Sequence, residues 1–264
     1  MNGVAATGPT RRAGRTSPSP VVIGGVAGSG TRVYQTICGL AGYDMGRWSS
    51  ARSSGDNVPL VRWFYPRWVD PYARGELDAA GLERMRRELR FWLRLCYPLR
   101  RGRWGWKNPR AQYVLPLLAD MFPDMLYIHV LRDGRDQAFN PHFSYRAHET
   151  SVLSDSERTL DDPVRKALHW SRLNLRTEQI AAERLPGRFL RSRLEDLCAA
   201  PRSEVERILA FLGVHDERVT EAGAREVQTP GSLGRWQRAP REEIARVEAA
   251  IGQALEHYGY TVAG

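Results

Sequence analysis

The stretch Val21-Val22-Ile23-Gly24-Gly25-Val26-Ala27-Gly28-Ser29-Gly30-Thr31-Arg32 changes character twice within a short span. Its β-branched start reads as a buried strand. A glycine-rich turn follows, and Val33, Ile37 and Leu40 then recur at a helical spacing that Gly42 ends. A strand, a glycine turn and a helix together cradle phosphate on backbone N–H groups and a helix N-terminus. The same turn also serves simply to pack a strand closely on a helix. Gly25 and Gly30 have the GxxxxG spacing of a nucleotide P-loop, but Thr31 stands where that loop needs lysine. Arg32 stands where its magnesium-binding Ser or Thr belongs, so a γ-phosphate with Mg²⁺ is hard to accommodate. The dinucleotide fingerprint fits no better, because Gly25-x-x-Gly28-x-Gly30 is in the wrong order for GxGxxG.

Further along the chain, strands and helices alternate. A helix is predicted over about 77–97, with Leu82, Met85, Leu89, Trp92, Leu93 and Cys96 on one stripe and Pro98 as its stop. After Trp104–Arg110 another helix runs to about Phe122, with Pro116 near its start or kinking it. Met125–Val130 reads as a second buried strand, followed by Leu131-Arg132-Asp133-Gly134-Arg135-Asp136 and a helix. A long helix near 161–185 precedes a third strand around Phe189–Leu194. Val205, Ile208, Leu209 and Leu212 mark the next helix, with Gly213 just past its end. Ile244, Val247, Ile251 and Leu255 mark the last one. Residues 46–75 show turn signals and clustered aromatics with no clean period. The expectation is an α/β fold: a three-layer, P-loop-like parallel sheet flanked by helices, in one domain over 20–264. Residues 1–19, rich in Gly, Pro, Ser, Thr and Arg, read as a disordered leader with no apolar core for a secretory signal.

Composition narrows the function. The chain has 264 residues, 42% apolar and 26% charged, which is ordinary for a globular protein. Its apolar runs are too short to span a bilayer. Cys38, Cys96 and Cys198 lie far apart without a CxxC, which fits neither a disulfide framework nor a zinc site and suits a reducing cytoplasm. Of the 39 basic residues only Lys107 and Lys166 are lysine, leaving 37 arginines and a net charge of +9. The arginines are spread along the chain rather than gathered in one arm, which reads as a solvated basic surface rather than a DNA-binding face, and anionic small molecules are the other partner this balance allows.

Several motifs, taken in order, resemble the sulfotransferases that use 3′-phosphoadenosine 5′-phosphosulfate (PAPS). Val21–Arg32 is similar to their 5′-phosphosulfate loop, and Tyr127–Asp136 (YIHVLRDGRD) to their 3′-phosphate element. Trp106–Arg110 (WKNPR) looks like the lysine-containing segment before that element. Arg193–Leu197 (RLEDL) with Ala210–Gly213, and Gly231–Trp236 (GSLGRW) with Gly259-Tyr260, resemble later family stretches. The resemblance covers roughly 20–260 and is closest to bacterial sulfotransferases, more remotely to tyrosylprotein sulfotransferases.

The resemblance implies a cytoplasmic enzyme moving a sulfuryl group from PAPS to a hydroxyl of a small-molecule acceptor, in a setting such as secondary metabolism. The implied step is an in-line displacement without metal, in which positioning and fixed cations supply the rate. Gly28, Ser29, Gly30, Thr31 and Arg32 are the implied phosphosulfate residues, with Arg132, Asn140 and Arg235 at the 3′-phosphate. Lys107 is the implied electrostatic partner of the transferred group, and Asp56 the first choice of general base, with His142 next. Asp56 in Gly55-Asp56-Asn57 equally suits a turn that caps the next segment. Neither Lys107 nor Asp56 is needed for packing on this reading, so substituting either is expected to leave the melting temperature unchanged. His129 reads as a core histidine, Asp133 and Asp136 as helix caps, and Glu195-Asp196 as structural. Trp92 is expected in the core, and the other tryptophans between 48 and 106 in the core or lining an aromatic acceptor pocket.

The sequence departs from the family at three places. Gly28 stands where a lysine or arginine is frequent, Asn140 where a serine is, and Leu194 where a tyrosine is. A P-loop kinase-like phosphotransferase, or a non-enzymatic nucleotide- or nucleic-acid-binding protein, is the alternative.

Overall fold

A computed structural model describes residues 19–46, 48, 55–98, 102–141 and 151–262. The leader 1–18, His142 and part of the aromatic segment 46–75 lie outside the described residues. Among those described, four parallel strands form one sheet in the order β2-β1-β3-β4. They are β1 (Val21–Gly25), β2 (Gly105–Lys107), β3 (Leu126–Leu131) and β4 (Phe189–Arg193). Val21 pairs with Gly105 on one edge of β1 and with Leu126 on the other. Chain order therefore reverses at β1, and the loops beyond its carboxyl end diverge to leave a crevice.

Alternation along the strands makes the layers. Val21, Ile23, Ile128 and Val130 face one core, against Tyr34, Ile37 and Cys38 of α1 (Thr31–Leu40) and Val205, Ile208 and Leu209 of a later helix, Pro201–Phe211. Val22, Tyr127 and Leu131 face the other. There they meet α2 (Tyr65–Ala73), α3 (Ala79–Cys96), α4 (Leu115–Met121) and the long helix Asp162–Arg184. The expected three-layer α/β architecture is present.

Details differ from the sequence reading for identifiable reasons. β2 is a strand of only three residues, too short to show a period, and a Cβ at Gly105 would run into the Val21 carbonyl oxygen. Within the segment 55–75 a π-helical turn Leu60–Phe64 is followed by α2. Pro66 sits in the first turn of α2 and Pro71 inside it, which hides the period. In α1 the buried face is Tyr34, Ile37 and Cys38, while Leu40 is exposed. Trp92 is only half-buried, whereas Trp68, Trp104 and Trp106 are core. Pro116 lies in the first turn of α4, after a 3₁₀ turn Pro109–Val114.

His129 is a core histidine, fully buried on β3. Its Nε2 lies 2.9 Å from Asn174 Oδ1 and 3.0 Å from Gln112 Nε2. Burial pushes its pKa down to about 4, against the raising effect of Asn174. The unfolded chain binds this proton below about pH 6.5 and the native state only below about pH 4, so stability falls with pH between those values. The slope from this one group is about 1.4 kcal/mol per pH unit. His129→Gln should therefore remove about 2 kcal/mol of the loss seen between pH 6.5 and 5 in urea denaturation. An unchanged pH dependence in the variant would assign the acid sensitivity to other groups.

Candidate active site

The loop after β1 is shaped by two left-handed glycines, Gly28 at φ +90° and Gly30 at φ +85°. Ser29 N–H donates to the Val26 carbonyl at 3.0 Å, closing the turn. Gly30 is the N-cap of α1, and the first turn of that helix holds no acidic residue. Its free N–H groups and dipole favour an anion at the crevice. Ser29 and Thr31 are buried and Arg32 is exposed. Gln137 Nε2 donates to Ser29 Oγ at 3.4 Å.

Arg132 follows β3 and is nearly buried. Its Nη1 donates to the Gly28 carbonyl at 3.2 Å, so it lies against the Gly28–Arg32 loop. Its Nε and Nη2 donate to Asp136 Oδ2 at 3.0 and 2.7 Å. Nη2 also reaches the Ser232 carbonyl and Ser232 Oγ. Arg235 Nη1 donates to Asn140 Oδ1 at 2.9 Å. Burial, together with the neighbouring Arg132 charge, lowers the Arg235 pKa. Gly28, Arg132, Asn140 and Arg235 are thus brought together. Lys166, the other lysine of the chain, donates to the Asn140 carbonyl at 3.2 Å.

Asp136 does not cap a helix. It accepts Gly234 N–H at 2.9 Å and Trp236 N–H at 3.2 Å in addition to Arg132, and so ties the loop 231–236 to the guanidinium. The cap is Asp133, which accepts Arg135 N–H at 2.8 Å. Glu195 is structural, accepting Asp133 N–H at 2.9 Å and the Tyr260 hydroxyl at 3.1 Å. The i, i+4 spacing of Arg132 and Asp136 is the signal from which their pairing was readable. Gln137 and Ser232 carried no such signal.

The glycine at position 28 also has a local cause. A Cβ there would sit 2.8 Å from Asn140 Nδ2 and 3.3 Å from Gln137 Oε1. Two amides occupy the room that a larger side chain needs, and the positive φ disfavours one as well.

Lys107 and Asp56 meet. Lys107 ends β2 beside Ile23 of β1, and its Nζ lies 2.5 Å from Asp56 Oδ1, with 2% of the lysine side chain and 16% of the aspartate exposed. Asn57, not Asp56, does the capping: its Oδ1 accepts Leu60 N–H at 3.4 Å and the Cys96 thiol at 3.2 Å. Gln35 of α1 holds the turn through the Gly55 carbonyl at 2.8 Å. Burial raises the Asp56 pKa, opposed first by Lys107 and then by Arg110 and Arg32. Burial lowers that of Lys107, opposed by Asp56. The expectation that neither residue matters for folding does not hold, because this is a buried ion pair and removing one partner strands the other.

The arrangement offers two anion sites, one on the Gly28–Arg32 loop and one at Arg132 and Arg235, with a carboxylate–ammonium pair at the end of the neighbouring strand. No group of three or more His, Cys, Asp or Glu side chains that could hold a metal occurs among the described residues. Trp48 and Trp63 are each 46% exposed.

Comparison with known proteins agrees with the architecture. The model of the sulfotransferase family matches residues 20–218. The sulfotransferase STF9 from Mycobacterium avium is 14% identical with a TM-score of 0.55, over 94% of this chain and 79% of its own. The sulfotransferase domain of the Synechococcus PCC 7002 olefin synthase is likewise 14% identical with a TM-score of 0.55, over 93% and 96%. Retinol dehydratase, solved with retinol and PAP, is 18% identical with a TM-score of 0.50, over 94% and 83%. A comparison with curated protein sequences gives no significant match.

Proposed function

Because the chain belongs to the sulfotransferase family, we propose that it transfers a sulfuryl group from PAPS to a hydroxyl of a small-molecule acceptor, in the cytoplasm and in a setting such as secondary-metabolite biosynthesis. The observation that carries this reading is the convergence of two anion sites on one loop: the Gly28 carbonyl accepts from Arg132, and Asn140 occupies the space beside the Gly28 Cα. A donor with a phosphate at each end of a nucleoside fits that pair of sites, and retinol dehydratase, of the same fold, binds PAP. When bound, the donor supplies the sulfuryl group on a phosphate that departs.

The chain's own residues supply the rest. Ser29, Gly30, Thr31 and Arg32 hold the 5′ end with backbone N–H groups, hydroxyls and one guanidinium. Arg132 and Arg235 neutralise the 3′-phosphate, for which a planar fork is suited, and Asn140 adds an amide donor. Lys107 sets a compact positive charge where negative charge develops. Asp56, as carboxylate, accepts the acceptor's hydroxyl proton. These cations make the proposed step metal-free.

Calorimetry tests the donor assignment. Adenosine 3′,5′-bisphosphate should bind without added metal, about 100-fold more tightly than AMP, because only it engages the arginine pair. Equal affinities would remove the basis for the second site, and binding of ATP only with Mg²⁺ would favour a kinase.

A further inference from the structure

α3 buries Met85, Leu89, Leu93 and Cys96 on one side and presents a second set of side chains to solvent. Phe91 is 54% exposed and Leu95 is 41% exposed. Trp92 beside them stacks on Trp63 of the π-helical turn, with ring centroids 5.0 Å apart and planes at 12°. Phe91 meets Trp92 edge-on at 5.1 Å, and Trp63 is itself 46% exposed. Exposed apolar residues standing singly are ordinary, whereas a connected aromatic patch with a polar rim marks an interaction surface.

The rim is cationic. Arg84, Arg87 and Arg94 lie on the same outward face at helical spacing, with Arg62 beside Trp63. None of these four has an acidic partner among the described residues, because the nearby acids are already engaged. Glu83 pairs with Arg90 at 3.5 Å and Glu88 with Arg67 at 3.2 Å, and Glu88 also accepts the Trp92 indole N–H at 3.4 Å.

We propose that this face docks the protein peripherally on an anionic phospholipid surface. Indole and phenyl rings settle at the headgroup level, and guanidinium groups beside them reach the phosphates. One planar partner meets both needs at once, whereas an acidic protein would have to bring an apolar complement of matching shape. The net charge of +9 adds long-range attraction. No helix among the described residues is long and apolar enough to cross a membrane, so the contact is one of surface. The proposal does not depend on the donor assignment.

The full chain should co-sediment at low salt with vesicles of phosphatidylcholine and phosphatidylglycerol, and not with vesicles of phosphatidylcholine alone. Tryptophan emission should shift to the blue on binding, and added salt should reverse both effects. The triple variant Arg84→Gln, Arg87→Gln, Arg94→Gln should bind about 100-fold more weakly. Trp63→Ser with Phe91→Ser should lose the blue shift while keeping the wild-type circular dichroism. Equal binding to both vesicle types, or binding unaltered in both variants, overturns the proposal. So does failure to bind anionic vesicles; if soluble polyglutamate then binds the wild type and not the arginine variant, the face is assigned to an acidic protein partner.

Discussion

Lys107→Met is expected to lower kcat about 100-fold or more while changing the affinity for adenosine 3′,5′-bisphosphate far less, as for a group that acts on the transferring sulfuryl. Asp56→Asn keeps the side-chain shape and deletes the proton acceptor, so a comparable loss is expected. Turnover of the wild type should rise with pH as Asp56 ionises, at a pKa that burial holds above the ordinary carboxylate range. That limb should be absent from Asp56→Asn. Both single variants should also melt at lower temperature. With Lys107 gone, a mostly buried carboxylate loses the cation it is paired with, and the cost is about 3 kcal/mol or less. The double variant Asp56→Asn with Lys107→Met separates the two effects. It buries no unpaired charge, so it should recover most of the melting temperature and remain inactive. Near-normal turnover in Asp56→Asn would move the general base elsewhere, with His142 the next residue to test.

At the other end of the site, Asp136→Ala should be the most damaging single change. Asp136 is fully buried and gathers Arg132, Gly234 N–H and Trp236 N–H onto one carboxylate. Its loss leaves a nearly buried guanidinium unbalanced and releases the loop that carries Arg235. Destabilisation of about 3 kcal/mol and a drop in bisphosphate affinity of about 100-fold are expected. Affinity for AMP should change much less, because the 5′ loop is anchored separately. Arg132→Ala should match the binding loss through the missing cation, with a smaller effect on stability, since two backbone N–H groups still satisfy Asp136. Calorimetry and urea denaturation on both variants distinguish these outcomes. Wild-type bisphosphate affinity in Asp136→Ala would mean that the loop holds Arg235 without it.

The sequence disclosed the parts of the molecule whose signal is local. β1 and its loop were readable because a β-branched run, four glycines and an apolar helical stripe occur without interruption, although the stripe's buried face proved to be Tyr34, Ile37 and Cys38. Helices such as Asp162–Arg184 and Ala79–Cys96 ended within a few residues of their expected bounds. β2 and α2 were not readable, since three residues show no period and Pro66 and Pro71 disguise one. Among the site residues, Lys107 stood out as one of two lysines in a chain that writes its other 37 basic residues as arginine. That Lys107 and Asp56 form an ion pair was not legible, because their contact spans 51 positions and depends on how α1 and α3 hold residues 55–57. Asp136 was misread for a similar reason: its N–H partners Gly234 and Trp236 lie nearly a hundred residues away.

The sheet register has a consequence of its own. Ile23 lies level with Lys107, and Gly25 level with Val130, two residues before Arg132. β1 therefore works as the fixed jaw of a caliper whose other jaws carry the ammonium and the guanidinium. Slipping one strand by a single residue would move a jaw by about 3.3 Å, while a misplacement of about 1 Å is enough to slow a reaction. On the proposed donor assignment, the span between the two ends of the donor is measured in ladder hydrogen bonds, and the connecting segments can change length without altering that measure.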